Sequence, residues 1–172
     1  MLRLANTNDI NQIIDIYNKI IDFEESSNLI YTGWKKEIYP NMDTIKEAMK
    51  KNQLYVYKED RVYASVILNS EYPKEYDDAK WRLLVDKNEI LVIHTLAVDI
   101  DLKGRKIGKK MIDLIIDHGK KHNYKVIRLE TGLENILANK LYKATGFEYA
   151  STIEIPVEEG KLKVFNCYEK YL

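Results

Sequence analysis

Three groups of residues in this 172-residue chain have types and spacings that could do chemistry. The first is His94, the sole titratable side chain in the apolar run Ile90 to Val98. An imidazole with an ordinary pKa near 6.5 can accept a proton at neutral pH. A core histidine satisfied by a neighbour is the plain alternative. The second is the stretch KGRKIGKK, where Gly104 and Gly108 stand among Lys103, Arg105, Lys106 and Lys109 as a strand hands over to a helix. A helix start presents unpaired N–H groups and the positive end of its dipole, so anions, phosphates above all, bind there. Glycine lets the backbone approach a ligand, and the cations add charge. Without an anion, each basic residue at that end costs about a few tenths of a kcal/mol. The third group is Asn135, Ala138 and Tyr142, at i, i+3 and i+7 of a later helix. That spacing lines up an amide, a small side chain and a phenol, although a core stripe with Tyr142 half-buried has the same pattern.

Other motifs fit poorly. A P-loop needs four residues between its glycines and Ser/Thr after its lysine. Here three residues separate Gly104 from Gly108, and Lys110 follows Lys109. The dinucleotide fingerprint needs more glycines on an early strand and a later acidic ribose ligand. His118 and His122 share a helix face, but Gly119 stands where a zincin needs Glu and no third ligand is evident, so no metal is expected. Cys167, the single cysteine, suits a small buried hydrophobe and excludes an internal disulfide.

The elements that must position these residues follow from periodicity. Leu2 to Leu4 is a short strand, and Thr7 or Asn8 would cap a helix with an apolar stripe at Ile10, Ile13, Ile14, Tyr17, Ile20 and Ile21. A polar loop with Gly33 and Pro40 leads to a second helix from Asp43 or Thr44 to about Lys50. Leu54–Tyr57 and Val62–Leu68 alternate as a hairpin, and a longer loop follows. Next come the strand Ile90–Val98, with His94 expected on the face of Val92 and Leu96, the glycine turn, and a helix to about His122. The strand KVIRLET and a helix from Asn135 to about Ala144 come after it, with Gly146 just past the helix end. Two last strands flank Glu158, Glu159 and Gly160. This order predicts one α/β domain of the α+β type over residues 1–172, with a mixed, mostly antiparallel twisted sheet, one parallel crossover and flanking helices.

Composition limits the function. Lys+Arg and Asp+Glu are both 27, so the formal net charge is zero. Neither a general nucleic-acid binder nor a polybasic membrane binder is expected at that balance. The N-terminus has no apolar signal core and no run nears the roughly 20 apolar residues that span a bilayer, so the cytoplasm is the expected location.

The stretches LAVDIDLKGRKIGKKMIDLIIDHGKKH and ETGLENILANKLYKATGFE resemble the GNAT superfamily of N-acetyltransferases. Those proteins carry Arg/Gln-x-x-Gly-x-Gly/Ala after a Leu-x-Val strand and, about thirty residues on, Asn-x-x-Ala-x-x-Leu-Tyr-x-x-x-Gly-Phe. The second motif is complete here at Asn135, Ala138, Leu141, Tyr142, Gly146 and Phe147. The first is partial. Lys103 holds the Arg/Gln position, Lys106 the first glycine position, and Gly108 matches.

The resemblance implies a single GNAT-like domain using acetyl-CoA without a metal. The pantetheine arm would lie along Leu96, Ala97 and Val98. The pyrophosphate would sit on the turn Lys103–Gly104, chiefly on amides of Arg105, Lys106, Ile107, Gly108 and Lys109. Asn135, with the small Ala138 beside it, would hold the pantetheine, and Tyr142 would face the sulfur as the thiolate leaves. His94 is the candidate base, with Glu130 and a water relay as competitors. The acceptor groove would draw on Tyr31, Trp34 and Tyr39, with Tyr72, Tyr76 and Trp81 from the second loop. Their aromatic character suits an apolar or aromatic amine, whereas plain loop packing is the alternative. Glu24, Glu25, Asp77 and Asp78 could attract a cation or only solvate loops. The expected partner is a small-molecule amine, with a homodimer left open. A peptide N-acetyltransferase and a non-catalytic acyl-CoA-binding module are the other readings.

Overall fold

The uncharged run Ile90–Val98 forms β4, the central strand of a seven-stranded sheet. The computed structural model describes residues 1–29, 31–157 and 161–172. The other strands are β1 (Leu2–Leu4), β2 (Leu54–Lys58), β3 (Val62–Asn69), β5 (Val126–Gly132), β6 (Glu148–Pro156) and β7 (Leu162–Tyr171). The helices are α1 (Ile10–Ser27), α2 (Met42–Lys50), α3 (Ile107–Lys121) and α4 (Ile136–Ala144). The sheet order is β1-β2-β3-β4-β5-β7-β6, and only β4 and β5 pair in parallel, joined through α3. This is the mixed, mostly antiparallel architecture that the element order predicts. Glu158, Glu159 and Gly160, around which the last two strands are expected, lie outside the described residues.

Helices cover both faces. Met111, Ile112 and Ile115 of α3 and Tyr142 of α4 pack on Leu91, Ile93, Ile127 and Leu129. Ile13, Ile16 and Tyr17 of α1 and Ile45 of α2 pack with Val56, Ile67 and Ala97. Each fully buried aliphatic chain of this kind contributes about 1.5–3 kcal/mol. Beneath the loop between β3 and β4, Tyr76 joins Ile90, Val92, Val126 and Cys167. Cys167 is thus the buried hydrophobe its strand position suggests.

Two helix starts differ from the sequence reading. Asn6, not Thr7 or Asn8, accepts from the Asn8 amide, because a 3-10 turn over Thr7–Asp9 precedes α1. Asn41 caps α2 by accepting from the Thr44 amide at 3.0 Å. In both cases an asparagine a few residues upstream reaches the free amides first.

Two irregularities of β4 shape the site. Its pairing with β5 covers only Ile90↔Val126, Leu91↔Ile127 and Val92↔Arg128, so the strands part beyond Val92. On the other edge, Ser65↔Ala97 is followed by Ile67↔His94, which sets three steps of β4 against two of β3. This bulge contains Thr95, at φ +49°, an unusual conformation for a β-branched residue. The extra residue reverses the alternation beyond it. Ile93 and Leu96 both pack toward α3, whereas Val92 packs under the opposite loop. Leu96 therefore does not share a face with Val92 and His94, contrary to simple alternation.

Candidate active site

The parting of β4 and β5 opens a cavity of about 590 Å³ that passes through the sheet. Its lining includes Tyr142, Asn135, Ala138 and Leu96 together with His94, Glu130, Trp34 and Tyr39. Tyr142 and Leu96 pack with the α3-side core. Trp34 packs with the α1-side core. A molecule held on one face of the sheet can therefore meet one held on the other.

His94 Nε2 lies 2.9 Å from the Glu71 carbonyl oxygen and 3.0 Å from Asn69 Oδ1. The amide orientation of Asn69 is supported twice. Its Oδ1 accepts from the Glu71 amide at 2.9 Å, and its Nδ2 donates to Gln53 Oε1 at 3.1 Å. Both oxygens facing Nε2 can only accept, so Nε2 carries the proton and the lone pair of the neutral ring sits on Nδ1. Burial lowers the imidazole pKa and keeps the ring neutral, although the Glu71 carbonyl pulls the other way.

Glu130 enters from β5, and Tyr76 donates a hydrogen bond to its Oε2. Burial raises its carboxyl pKa, and the Tyr76 hydroxyl opposes that rise. A partly buried carboxylate and a neutral imidazole thus face one cavity.

The face of α4 is assembled by its own cap. Asn135 Oδ1 accepts from the Ala138 amide at 3.0 Å, which leaves its Nδ2 hydrogens for other partners. Asn139, which the sequence reading did not single out, ties this face down. Its Nδ2 donates to the carbonyls of Gly132 and Asn135 at 3.0 and 2.8 Å. Its Oδ1 accepts from Asn166 and from the Tyr168 hydroxyl at 2.8 and 2.7 Å. Its position four residues after Asn135 was the available signal. The Tyr142 ring is fixed by Phe147 and Tyr168, at centroid distances of 5.5 and 6.0 Å. Burial pushes the Tyr142 pKa up, with the Glu130 charge adding to the effect, so the hydroxyl stays a donor.

At the start of α3, Lys106 takes φ +58° and no side chain caps the helix. The first-turn amides of Ile107, Gly108 and Lys109 are thus left for a ligand. The Arg105 amide is already bonded to the Leu102 carbonyl at 3.1 Å, and the Lys103 amide to Ile100 at 3.1 Å. Of the amides expected to form the cradle, that of Arg105 is therefore already taken. Gly104 turns at φ +86° with no neighbour near its missing Cβ, so its role is conformational. At Gly108 a Cβ would stand 3.3 Å from Leu141 Cδ2, so that glycine also lets α3 approach α4.

The loop from Tyr31 to Tyr39 forms the cavity's other wall. Glu24 of α1 organises it. The carboxylate accepts from the Thr32 amide at 2.9 Å, the Thr32 hydroxyl at 2.8 Å and the Gly33 amide at 3.3 Å. Glu24 is thus a structural anchor rather than a free charge. Trp34 rests edge-on against Tyr17 and Tyr39. Trp81 stands elsewhere. Its indole N–H donates to the Tyr76 carbonyl at 2.8 Å, and the Arg128 guanidinium lies 4.4 Å from its ring centre. Trp81 and the stacked Tyr72–Tyr76 pair brace the β5 side and do not line the cavity. Packing against Arg128 overrides the acceptor role that the loop's aromatic content suggested.

The His118 and His122 rings lie 4.1 Å apart, with His118 also against Tyr55. Burial, together with His122 and Lys121, pushes the His118 pKa down to about 4. Among the described residues, no three His, Cys, Asp or Glu side chains converge as a metal site. No helix of the described residues is long and apolar enough to cross a membrane.

Residues 15–147 match the family model for the acetyltransferase (GNAT) family. An uncharacterized N-acetyltransferase of Methanocaldococcus jannaschii is 35% identical over 77 residues, 45% of this chain and 34% of that protein. The match therefore spans about a third of that relative's length. A GNAT-family acetyltransferase from Streptococcus agalactiae superposes with a TM-score of 0.82 at 22% identity, over 100% of this chain and 95% of that one. The structure of yncA from Salmonella typhimurium, solved with its cofactor acetyl-CoA, superposes with a TM-score of 0.68 at 16% identity, over 100% of this chain and 93% of the other. At these identities the structural likeness concerns the fold.

Proposed function

The chain belongs to the acetyltransferase (GNAT) family, and from that premise we propose that it transfers an acetyl group from acetyl-CoA to a primary amine of a small molecule. The observation that carries this reading is the cavity through the β4–β5 gap, which brings Tyr142, Asn135, His94 and Glu130 into one lining. The residues fit the donor. The β5-facing edge of β4 has no strand partner after Val92, so its backbone is open to an amide-bearing arm. The uncapped start of α3, with Lys106 and Lys109, suits a pyrophosphate.

Acetyl-CoA would supply the activated thioester. The protein then has three tasks. His94 receives the amine's proton at Nδ1, so that the nitrogen can bond to the acetyl carbon. Glu130 draws the incoming ammonium into the gap. The Tyr142 hydroxyl donates to the sulfur as the carbon–sulfur bond breaks. The aromatic wall from the Tyr31–Tyr39 loop favours a small acceptor over a peptide, which would need an open, acidic groove.

A thiol-release assay with acetyl-CoA, run against amines, polyamines, amino acids and short peptides, tests this. Turnover with small amines and none with peptides is expected. Turnover restricted to peptides would move the assignment to peptide acetylation. Tight acetyl-CoA binding with no acceptor at all would make the chain an acyl-CoA-binding module.

A further inference from the structure

Lys163 of β7 brings its ammonium group into the cavity wall between two glycines. Its Nζ lies 2.9 Å from where a Cβ on Gly33 would stand, and 3.5 Å from the corresponding point on Gly132. Gly33 belongs to the α1–α2 loop, Gly132 ends β5, and all three residues line the cavity. Lys163 is half-buried, and its Nζ lies 5.5 Å from the centre of the Phe165 ring. Among the described residues it forms no ion pair. Lys35 and Lys161 line the same cavity. The single carboxylate among the described lining residues is Glu130.

One carboxylate and several cations therefore share the described lining. Glu130 and Gly132 are alternate residues of β5, both in the lining, and separated by about 7 Å of strand. The Gly132 carbonyl accepts from the Asn135 amide at 3.1 Å, so the Lys163 ammonium lies between the start of α4 and the Gly33 loop, one alternation of β5 beyond Glu130. Glu134 Oε2 lies 3.3 Å from the same Cβ point on Gly132 but makes no ion pair with Lys163. A half-buried ammonium with no ion pair among the described residues has lost part of its hydration, which a ligand anion restores.

We propose that the acceptor is a compact amino acid, or a similar amine bearing an acidic group, bound with its amine beside Glu130 and His94 and its anion on Lys163. This deepens the acetyl-transfer reading and rests on it. Trp34, Tyr39 and Phe165 would enclose an apolar side chain. Lys163 is the selective element, because it rewards a group that the reaction itself does not use.

The test compares acceptors that differ only by the carboxylate: phenylalanine with phenethylamine, leucine with isopentylamine, and methionine with 3-methylthiopropylamine. Rates are referred to the neutral amine. The carboxylated member should have at least a tenfold higher kcat/KM. Lys163→Met should cut that preference tenfold or more, mainly through KM, and Lys163→Arg should retain most of it. Acetyl-CoA Kd and circular dichroism should match wild type in both variants. Equal or better turnover of the decarboxylated members by the wild-type protein overturns the proposal and leaves acetyl transfer standing. An unchanged preference in folded Lys163→Met overturns the assignment to this residue. If acetyl-CoA binds but no amine of any kind releases thiol, the acetyl-transfer reading fails and takes this inference with it.

Discussion

The hydroxyls of Tyr39 and Thr95 lie 2.6 Å apart and join the α1–α2 loop to the bulge of β4. Thr95 adopts φ +49°, a conformation that costs a β-branched residue about 1 kcal/mol or more. The outlier sits where the sheet opens, and its side chain holds the loop that walls the cavity. Tyr39→Phe removes the link and keeps the ring. The acceptor KM should rise roughly three- to tenfold, about one hydrogen bond's net value, while acetyl-CoA Kd holds in calorimetry. An unchanged acceptor KM would make the contact incidental.

Glu24 makes a second prediction about the same loop. Its carboxylate accepts from two backbone amides and one hydroxyl, and Thr32 Oγ1 in turn accepts from the Trp34 amide at 3.1 Å. Glu24→Ala leaves those donors without their acceptor. The expected loss is about 1–3 kcal/mol, seen as a melting temperature lower by a few degrees. Acceptor KM should worsen more than acetyl-CoA Kd. Equal damage to both would mean that the loop also carries donor binding.

His94 yields a pH dependence. Burial holds its pKa below 6.5 in the folded chain. Between the folded and unfolded values the unfolded chain binds more protons, so stability rises with pH there. This contribution is complete above about pH 6.5 and is lost as pH falls through the folded value. The acidic limb of kcat/KM should accordingly have its midpoint below pH 6.5. His94→Ala should lower kcat/KM by roughly 10²-fold or more and abolish that limb. A limb that survives in the variant would move the base role to Glu130, whose raised carboxyl pKa already equips it.

Much of this site was legible in the sequence, for physical reasons. Asn135, Ala138 and Tyr142 fall on one face because helical spacing is fixed, and the structure keeps them together at the cavity. The stretch Ile90–Val98 read as a strand because nothing polar but His94 and Thr95 interrupts it. The bulge at Thr95 left no mark, since a one-residue irregularity does not disturb an apolar run. It is this bulge that turns Leu96 away from His94. Glu24 and Trp81 were misleading for the opposite reason. Residue type suggested a free charge and an open aromatic wall, but tertiary partners that residue type does not reveal, Thr32 in the following loop and Arg128 on β5, engage both groups.

Gly108 now carries a sharper expectation than nearness to a phosphate. A Cβ there meets Leu141 Cδ2 at 3.3 Å, a contact that a leucine can yield by a few tenths of an ångström. Gly108→Ala should therefore fold and bind acetyl-CoA within about tenfold of wild type. Gly108→Trp overpacks the α3–α4 contact, which typically costs about 1–3 kcal/mol. It should lose acetyl-CoA affinity and melting temperature together. Lost affinity with unchanged stability would show the phosphate approach alone to be at stake, and unchanged affinity would remove this turn from the donor site.

In the proposed reaction Tyr142 serves the departing thiolate. Its ring is clamped by Phe147 and Tyr168, and among the described residues no protein group is hydrogen-bonded to its hydroxyl. The reference pKa values of tyrosine and a thiol are about 10 and 8.5, so full proton transfer to a departing thiolate is uphill by roughly 2 kcal/mol. Burial raises the Tyr142 pKa further and makes that transfer harder still. Donation of a hydrogen bond avoids the cost and acts where charge gathers on sulfur. Removing one such preorganised donor typically costs about 10² to 10³ in kcat. Tyr142→Phe keeps the packed ring, so kcat should fall by that factor with acetyl-CoA Kd and melting temperature nearly unchanged. A variant that keeps its kcat but melts lower would show the hydroxyl to be structural, and the leaving thiolate would then need another donor.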